Sequence, residues 1–481
     1  MFEKKMYIDG NLVGNSKQYD VCCPATNKRI GSVAWASEKE THQALEAANN
    51  AFDGWSNTPV QERIGWMIKL RDEVVANEDH LRKCIHLEMG KPWNATQEDI
   101  DSLVNSLTFY SEEIIKREPE LLPDKDGTHT HILKEESVGV VVAFIAWNFP
   151  LLNLAFKIGP AMAAGCPIII KPSYKSPLSA YAIGELCAKI GLPKGVVNII
   201  CGDDEVVGDT LSSSSIPSLL TLIGSINTGK HIMKMGSSTI KRYSMELGGN
   251  APVIVFDDAN LELAADIITA LKFGNSGQIC VTPNRIFAAD SIKEKLVNLI
   301  VERAKNITVG HNKDMDIDMG PLIDATALSR VTELVQDAIQ NGANLLYGGG
   351  KPNKFKDDGY FYEPTVIDNV KPSMRVFKEE VFGPVISICN FNNNDEVLNE
   401  ANNTDAGLTA YIFTDDQIIA DNCANKLRFG EIQINGVKYG IDLPHIGIKQ
   451  SGIGCDCSHL ALNDYLAVSY THLTLPTILL V

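Results

Sequence analysis

The chain has 481 residues, 44% of them hydrophobic, and its 43 Lys+Arg against 60 Asp+Glu give a net charge of −17. At roughly 150 residues per domain this corresponds to about three structural units, far too much chain for a small disulfide-stapled module. The surplus of acid argues against a nucleic-acid or anionic-membrane binder, whose affinity comes from basic surface and counterion release, while leaving room for a local basic pocket.

The opening MFEKKMYIDG has no apolar core and no small-residue cleavage site, so no signal peptide is expected. Ser37 followed by Glu40 is a capping-box signature for a helix through ETHQALEAANNAF. Pro59 can open a second helix, and ATQEDIDSLVNSLTFYSEEIIK reads as a third, so the first third of the chain is expected to be mainly helical. The turn DKDG, flanked by strand formers, predicts a polar hairpin projecting from the body between 120 and 137.

Ser137 to Phe156 carries no charge, but Asn148, Pro150 and Asn153 interrupt it, so it reads as a buried strand entering a polar turn rather than as a membrane span. From Val138 onward, VGVVVAFIA, PIIIKP, GVVNIIC and LLTLIG alternate with helical segments. Such β-branched runs are strands of a parallel sheet covered on both faces. A second alternation begins at APVIVF, followed by a helix with Leu263, Ile267 and Leu271 on one face and strands near Ile386 and Ile432. The fold class is α/β: two doubly wound domains and an arm. Eleven scattered cysteines point to a reducing compartment, with cytoplasm the expectation. The last segment, SYTHLTLPTILLV from Ser469 to Val481, is unrelated in pattern to what precedes it and reads as a non-native tail.

Four places carry chemistry. In LTLIGSINTGK, Gly224, Ser225 and Gly229 lie between a strand and a helix, where backbone N–H groups can approach a pyrophosphate; alone, this is also the composition of an ordinary Gly-rich turn. Lys171 ends the preceding strand, the place where nucleotides sit in open α/β sheets. In GNSGQICVTPNR, Gly274 and Gly277 permit a tight turn before Cys280, whose backbone N–H suits an oxyanion; a lone Cys in apolar company is otherwise an inert small hydrophobe. Glu246 ends an apolar strand before Gly248 and Gly249, a setting that raises a carboxyl pKa toward that of a water-activating base, or else accommodates a structural ion pair. Asn148 ends the strand VGVVVAFIA, with an amide able to donate to an oxyanion or to hold a turn.

Together WNFP, KPS, the Gly224 to Gly229 loop, ELGG, GQIC, EEVFGP and KQSGIG, in this order from about Tyr7 to Val468, resemble the aldehyde dehydrogenase superfamily. The resemblance implies NAD- or NADP-dependent oxidation of a small-molecule aldehyde to an acid. Cys280 would be the nucleophile, giving a thiohemiacetal and then a thioester. Asn148 would hold the oxyanion, Glu246 would activate water, and Lys157 would support the site. The cofactor set would be Trp147, Lys171, Ser173, Tyr174, Gly224, Ser225, Gly229, Leu247, Glu380 and Phe382. The implied domains are 1–119 with 138–247 for the cofactor, 248–440 for catalysis, and 120–137 with 455–468 as an arm that builds a homodimer or homotetramer. No nucleic acid and no membrane is expected as a partner.

Several positions depart from the family pattern. Tyr174 stands where an acid often bonds the adenosine ribose, with Lys175 next to it, so NADP is expected to be accepted or preferred. Ile223 replaces a common Thr, LPHIGIKQSG puts His445 in the place of the Phe of P-F-G-G, and CDC at Cys455 to Cys457 is also unusual. Phe156 replaces an Arg that pairs the substrate carboxylate in members resembling succinate-semialdehyde dehydrogenase. With Phe149, Ile279, Val281 and His445 it would give an apolar mouth, favouring neutral aliphatic or aromatic aldehydes over succinate semialdehyde. A CoA-acylating member would not need Glu246, and a silent scaffold would not need the set Asn148, Glu246 and Cys280.

Overall fold

The computed structural model describes residues 1–474. The apolar runs after Val138 form the middle of an eight-stranded sheet. From one edge its strands are Gly452–Ile453, Arg242–Glu246, Pro217–Ile223, Val140–Ile145, Ile168–Pro172, Val197–Ile199, Met6–Ile8 and Asn11–Val13. The five strands from Arg242–Glu246 to Val197–Ile199 are parallel. Every residue of Val140–Ile145 is buried, as a strand covered on both faces requires. This strand leads through a four-residue turn holding Asn148 into the helix Pro150–Ala164, which packs back on the sheet. Among the described residues no helix is long and apolar enough to cross a membrane.

A second sheet takes the strands Asn344–Tyr347, Thr365–Asp368, Val385–Phe391, Pro283–Ala289, Ala251–Val255, Thr409–Phe413 and Glu431–Ile434 in that order. All its pairings are parallel except the first. Apolar clusters cover it, one built around Ile254, Leu334 and Phe377 and another around Val253, Ile268 and Ile300. The helix Leu261–Phe273 faces this core with Leu261, Ala264, Ala265, Ile268 and Lys272. Leu263, Ile267 and Leu271, the stripe expected from spacing, lie on its flank and are only partly buried. The small Ala264 and Ala265 bring the backbone close to the sheet, which turns the larger residues to the side.

The capping box forms as expected: the Glu40 carboxylate accepts from the Ser37 backbone N–H at 2.9 Å. The start of the chain is less helical than expected. Five strands of three to six residues occupy Phe2–Ala34, and a further helix spans Glu78–Met89. Phe2–Lys4, Arg29–Ala34 and Gln18–Cys22 form a small sheet, while Met6–Ile8 pairs with Val197–Ile199. Three-residue strands that pair across long stretches of chain carry almost no local periodicity.

The arm is a three-stranded antiparallel sheet of Glu120–Leu122, His129–Ser137 and Leu466–Thr474. Its ladder runs from Leu466 opposite Ser137 to Thr474 opposite His129, so the first six residues of the segment read as a non-native tail continue the strand. The remainder of that segment, 475–481, lies outside the described residues. Residues 455–465, expected in the arm, instead pack on the body, where Ala461, Leu462 and Tyr465 join the core of the first sheet.

One buried ion pair sets the start of the Pro150–Ala164 helix. Asp99 Oδ1 accepts from the backbone N–H groups of Leu151 and Leu152 at 3.0 and 3.1 Å, and Oδ2 accepts from Lys91 Nζ at 2.7 Å. Both side chains are almost wholly buried. Asp99→Ala leaves the Lys91 ammonium without its partner and is expected to cost about 3–5 kcal/mol of stability. A urea midpoint unchanged from the parent would contradict this.

Candidate active site

Three separate backbone turns converge here. The loop after Phe273 passes through Asn275 and Ser276, both with positive φ, and Gly277 at φ +70. A Cβ on Gly277 would lie 2.2 Å from the Gly383 carbonyl oxygen, so only glycine fits both the conformation and the space. Hydrogen bonds fix the loop on both sides of Cys280. The Ser276 hydroxyl donates to Gly320 O at 2.8 Å, the Ile323 N–H donates to Gln278 Oε1 at 2.9 Å, and the Tyr411 hydroxyl donates to Val281 O at 2.7 Å. Cys280 itself is partly exposed, whereas nine of the other ten cysteines are buried.

The Asn148 amide reaches the same loop. Its Nδ2 donates to Gln278 O at 2.9 Å, two residues before Cys280, and its Oδ1 accepts from Asn153 Nδ2 at 3.2 Å. With the oxygen held, the amide presents nitrogen toward the thiol loop, and one of its two N–H groups remains for an incoming oxygen.

Glu246 ends its strand opposite Gly452 of the antiparallel edge strand. Its carboxylate is buried, and neither oxygen has a hydrogen-bond partner. Burial drives its pKa well above the usual carboxylate range, opposed by the positive fields of His445 and Lys157 and reinforced by Asp456 and Glu431. Gly249 lies against the other side of the thiol loop, where a Cβ would stand 2.5 Å from the Cys280 carbonyl oxygen.

Two acids that sequence reasoning missed complete the pocket. Lys157 Nζ donates to both oxygens of Asp456 at 2.7 and 2.6 Å, with both side chains fully buried. Lys157 is therefore held by an ion pair, and that pair acts on Glu246 through its field. His445 Nδ1 meets Glu431 Oε1 at 2.6 Å, and its Nε2 lies 4.0 Å from Glu246 Oε2. An acid between buried cysteines at 456, and a charge in the apolar run EIQI at 431, are the sequence signals that point to them.

Of the expected mouth, Phe156 and His445 are neighbours with ring centroids 6.2 Å apart, and Ile279 is partly exposed beside Cys280. Val281 is buried. Phe149 is also buried, with Lys91 Nζ 3.5 Å from its ring centroid.

The residues expected around a dinucleotide occupy the C-terminal ends of the first sheet's strands and the loops facing them. Gly224 and Ser225 join the strand Pro217–Ile223 to the helix Ile226–Gly236, and the Ser225 hydroxyl caps that helix by accepting from Thr228 N–H at 3.1 Å. Gly229 packs on Leu247, where a Cβ would meet its methyls at 3.0 Å. Trp147 and Phe382 make an edge contact at 5.6 Å, with Phe382 at positive φ. Glu380 accepts from Gly249 N–H at 3.1 Å, and desolvation pushes its carboxyl up to about 7. The Ser173 hydroxyl accepts from Lys175 N–H at 3.3 Å, and Tyr174 packs edge-on against Tyr19. The two lysines are already paired, Lys171 with Asp204 and Lys175 Nζ with Asp324 Oδ2 at 2.6 Å. A helix N-terminus after a glycine turn, cations and a partly buried carboxylate together fit a dinucleotide.

Residues 12–471 match the profile of the Aldehyde dehydrogenase family. The chain is 35% identical over 457 residues to the mitochondrial succinate-semialdehyde dehydrogenase of Oryza sativa subsp. japonica, covering 95% of this chain and 86% of that protein. It is 33% identical to the NADP(+) succinate-semialdehyde dehydrogenase GabD of Escherichia coli over 98% of each chain. Among solved structures, betaine aldehyde dehydrogenase from Staphylococcus aureus in complex with NAD+ superposes with a TM-score of 0.94 at 33% identity, covering 98% of this chain and 94% of that one. With the matched sequence spanning nearly the whole length and the two α/β sheets superposing on solved members, the chain belongs to the aldehyde dehydrogenase family, NAD(P)-dependent oxidoreductases acting on aldehydes.

Proposed function

We propose that Cys280 is the nucleophile of this aldehyde oxidation, with Asn148 and Glu246 serving the two halves of the reaction. The observation that carries the reading is one pocket in which the Cys280 loop receives the Asn148 amide at Gln278 O, while the strand end bearing the buried, unpartnered Glu246 carboxylate brings Gly249 against the Cys280 carbonyl. Attack of the Cys280 thiolate on the aldehyde carbon forms a C–S bond and moves the carbonyl π pair onto oxygen. The free Asn148 N–H and the Cys280 backbone N–H stabilise that oxyanion. Bound NAD(P)+ would supply the hydride acceptor that takes the thiohemiacetal to a thioester on Cys280. Glu246 then takes a proton from water, the hydroxide adds to the thioester, and the C–S bond breaks to return the thiolate and release the acid. Lys157 is a positioning residue, since its charge reaches Glu246 while its ammonium stays on Asp456.

Lys171, Ser173 and Tyr174 would hold the adenosine end of the cofactor, Gly224, Ser225 and Gly229 the pyrophosphate, and Glu380 the nicotinamide ribose. Trp147, Leu247 and Phe382 would wall the ring. The acid often found at the Tyr174 position is replaced here, but Asp204 and Asp324 bring carboxylates to the same end. Either nucleotide therefore meets a balanced set of charges, and we propose that NADP is accepted alongside NAD. Eleven free thiols among the described residues fit a reducing, cytoplasmic setting. The projecting arm exposes Leu121, Val468, Tyr470 and Leu473, an apolar face that supports a homodimer or homotetramer.

For the substrate, the wall of Phe156, Ile279 and His445 favours neutral aliphatic or aromatic aldehydes. The cations nearest this wall are held by acids: Lys157 by Asp456, Lys91 by Asp99 and His445 by Glu431. A second reading, succinate or glutarate semialdehyde, is favoured by the names of curated relatives.

Two measurements test these readings. Cys280→Ala is expected to abolish NAD(P)H formation, whereas Glu246→Gln is expected to keep a single-turnover burst and lose steady turnover by about 10²- to 10⁴-fold. Steady turnover by Cys280→Ala, or an unchanged steady rate in Glu246→Gln, would contradict the assignment. An aldehyde panel run with both cofactors is expected to rank hexanal and benzaldehyde above succinate semialdehyde in kcat/KM and to show turnover with NADP. The reverse ranking would install the semialdehyde reading, and a far higher kcat/KM with NAD than with NADP would defeat the cofactor proposal.

A further inference from the structure

The family pattern places a phenylalanine where this chain has His445, and the structure sets that imidazole between two carboxylates. His445 is pinned at both ends of its residue by the Asp456 backbone, its N–H donating to Asp456 O at 2.8 Å and its carbonyl accepting from Asp456 N–H at 2.9 Å. Its Nδ1 meets Glu431 Oε1 at 2.6 Å, and the other Glu431 oxygen accepts from the Thr409 hydroxyl at 2.9 Å. Thr409 and Glu431 are register partners in adjacent parallel strands, so the sheet itself fixes the acid. The opposite ring nitrogen, Nε2, lies 4.0 Å from Glu246 Oε2. With only 14% of the His445 side chain and 2% of the Glu246 side chain exposed, water screens this pair little.

We propose that His445, held as an imidazolium by Glu431, is a positioning residue for Glu246, the cation that keeps this buried carboxylate ionised while the Cys280 thioester is hydrolysed. The inference rests on the reading of Cys280 as nucleophile and Glu246 as base. In the hydrolytic step Glu246 takes the proton from water, the new C–O bond forms, the C–S bond breaks and its electron pair returns to sulfur. The two protons of the imidazolium stay on its ring nitrogens throughout, one toward Glu431 and one toward Glu246. A phenylalanine at this position supplies no charge.

The neighbouring groups favour the charged ring. Burial opposes it, but the Cys280, Glu431 and Glu246 side chains together outweigh burial and hold His445 well above the usual histidine range. The other ionisable groups nearby are Asp456 with its partner Lys157, the buried thiols of Cys455 and Cys457, and the Tyr411–Tyr439 hydroxyl pair at 2.8 Å. Lys157 gives both oxygens of Asp456 its ammonium, and that acid's own field opposes ionisation of Glu246. His445 is therefore the cation whose removal Glu246 would feel most.

The test follows hydrolysis of the acyl-enzyme directly. Full-length protein in excess over hexanal, with saturating NAD+, is quenched in acid at successive times, and the acyl mass on the Cys280 peptide is measured from about pH 5 to pH 9. The parent is compared with His445→Phe, His445→Gln and Glu431→Gln. Loss of a positive neighbour raises the pKa of a carboxyl, so a base that must be ionised is lost at higher pH. In both histidine variants the acidic limb of the acyl-decay rate is expected to move up by about one pH unit or more, with roughly tenfold slower decay below the limb. Glu431→Gln keeps the imidazole but removes the acid that holds its charge, and its limb is expected between those of the parent and the histidine variants. Limbs superimposable on the parent would overturn the proposal, as would decay slowed equally at every pH, which is the mark of disturbed packing. If His445→Phe fails to fold, the other two variants give the same reading. Acyl decay in Glu246→Gln with the parent's rate and limb would instead defeat the assignment of the base, so the two failures are distinguishable.

Discussion

A carboxylate buried with no hydrogen-bond donor is among the most costly groups a fold can carry, and Glu246 is one. Nothing in its own strand offsets that cost. What does so comes from two places far along the chain, the Lys157–Asp456 pair and the His445–Glu431 pair, whose positive members face it. The same desolvation that makes Glu246 costly keeps its pKa high, and a carboxylate with a high pKa is a better proton acceptor from water than an ordinary one. The site is therefore maintained in a strained electrostatic state by charges whose own partners are fully satisfied.

The surrounding structure exists to hold those groups within an ångström or so. Asp99 takes the first two free N–H groups of the Pro150–Ala164 helix while neutralising Lys91, which fixes the turn that carries Asn148. Ser276, Gln278 and Tyr411 fix the Cys280 loop from three directions, and Gly277 and Gly249 let two backbones approach where a side chain would collide. The parallel pairing of Thr409–Phe413 with Glu431–Ile434 sets Glu431 against Thr409, and hence His445. Asn148 and Cys280 sit in short turns and Glu246 at a strand end, each held by hydrogen bonds or close backbone contacts from neighbouring segments.

Much of this was legible in the amino-acid order. The β-branched runs around Val141, Ile169 and Leu220 announced covered parallel strands because both faces had to be apolar, and Ser37 with Glu40 announced a helix start through local hydrogen bonding. The turns carrying Asn148, Glu246 and Cys280 were marked by glycine and proline. The short strands of Phe2–Ala34 were not legible, because their partners lie elsewhere in the fold and their length is below any period. Glu431, Asp456 and Asp204 were missed for a related reason: an acid in a short segment looks solvated until its tertiary partner is known. Asp99 did leave a trace, falling on the buried stripe of its helix with Leu103, Ser106 and Tyr110.

The central claim is that a single sulfur carries the acyl group between oxidation and hydrolysis. Mixing Glu246→Gln with NAD(P)+ and an aldehyde it oxidises, quenching in acid and mapping the peptides by mass tests that claim most directly. The acyl mass is expected on the peptide containing Cys280 and on none of the other ten cysteines. An acyl group found on a different cysteine, or NAD(P)H formed in stoichiometric amount with no acylated peptide, would contradict the account.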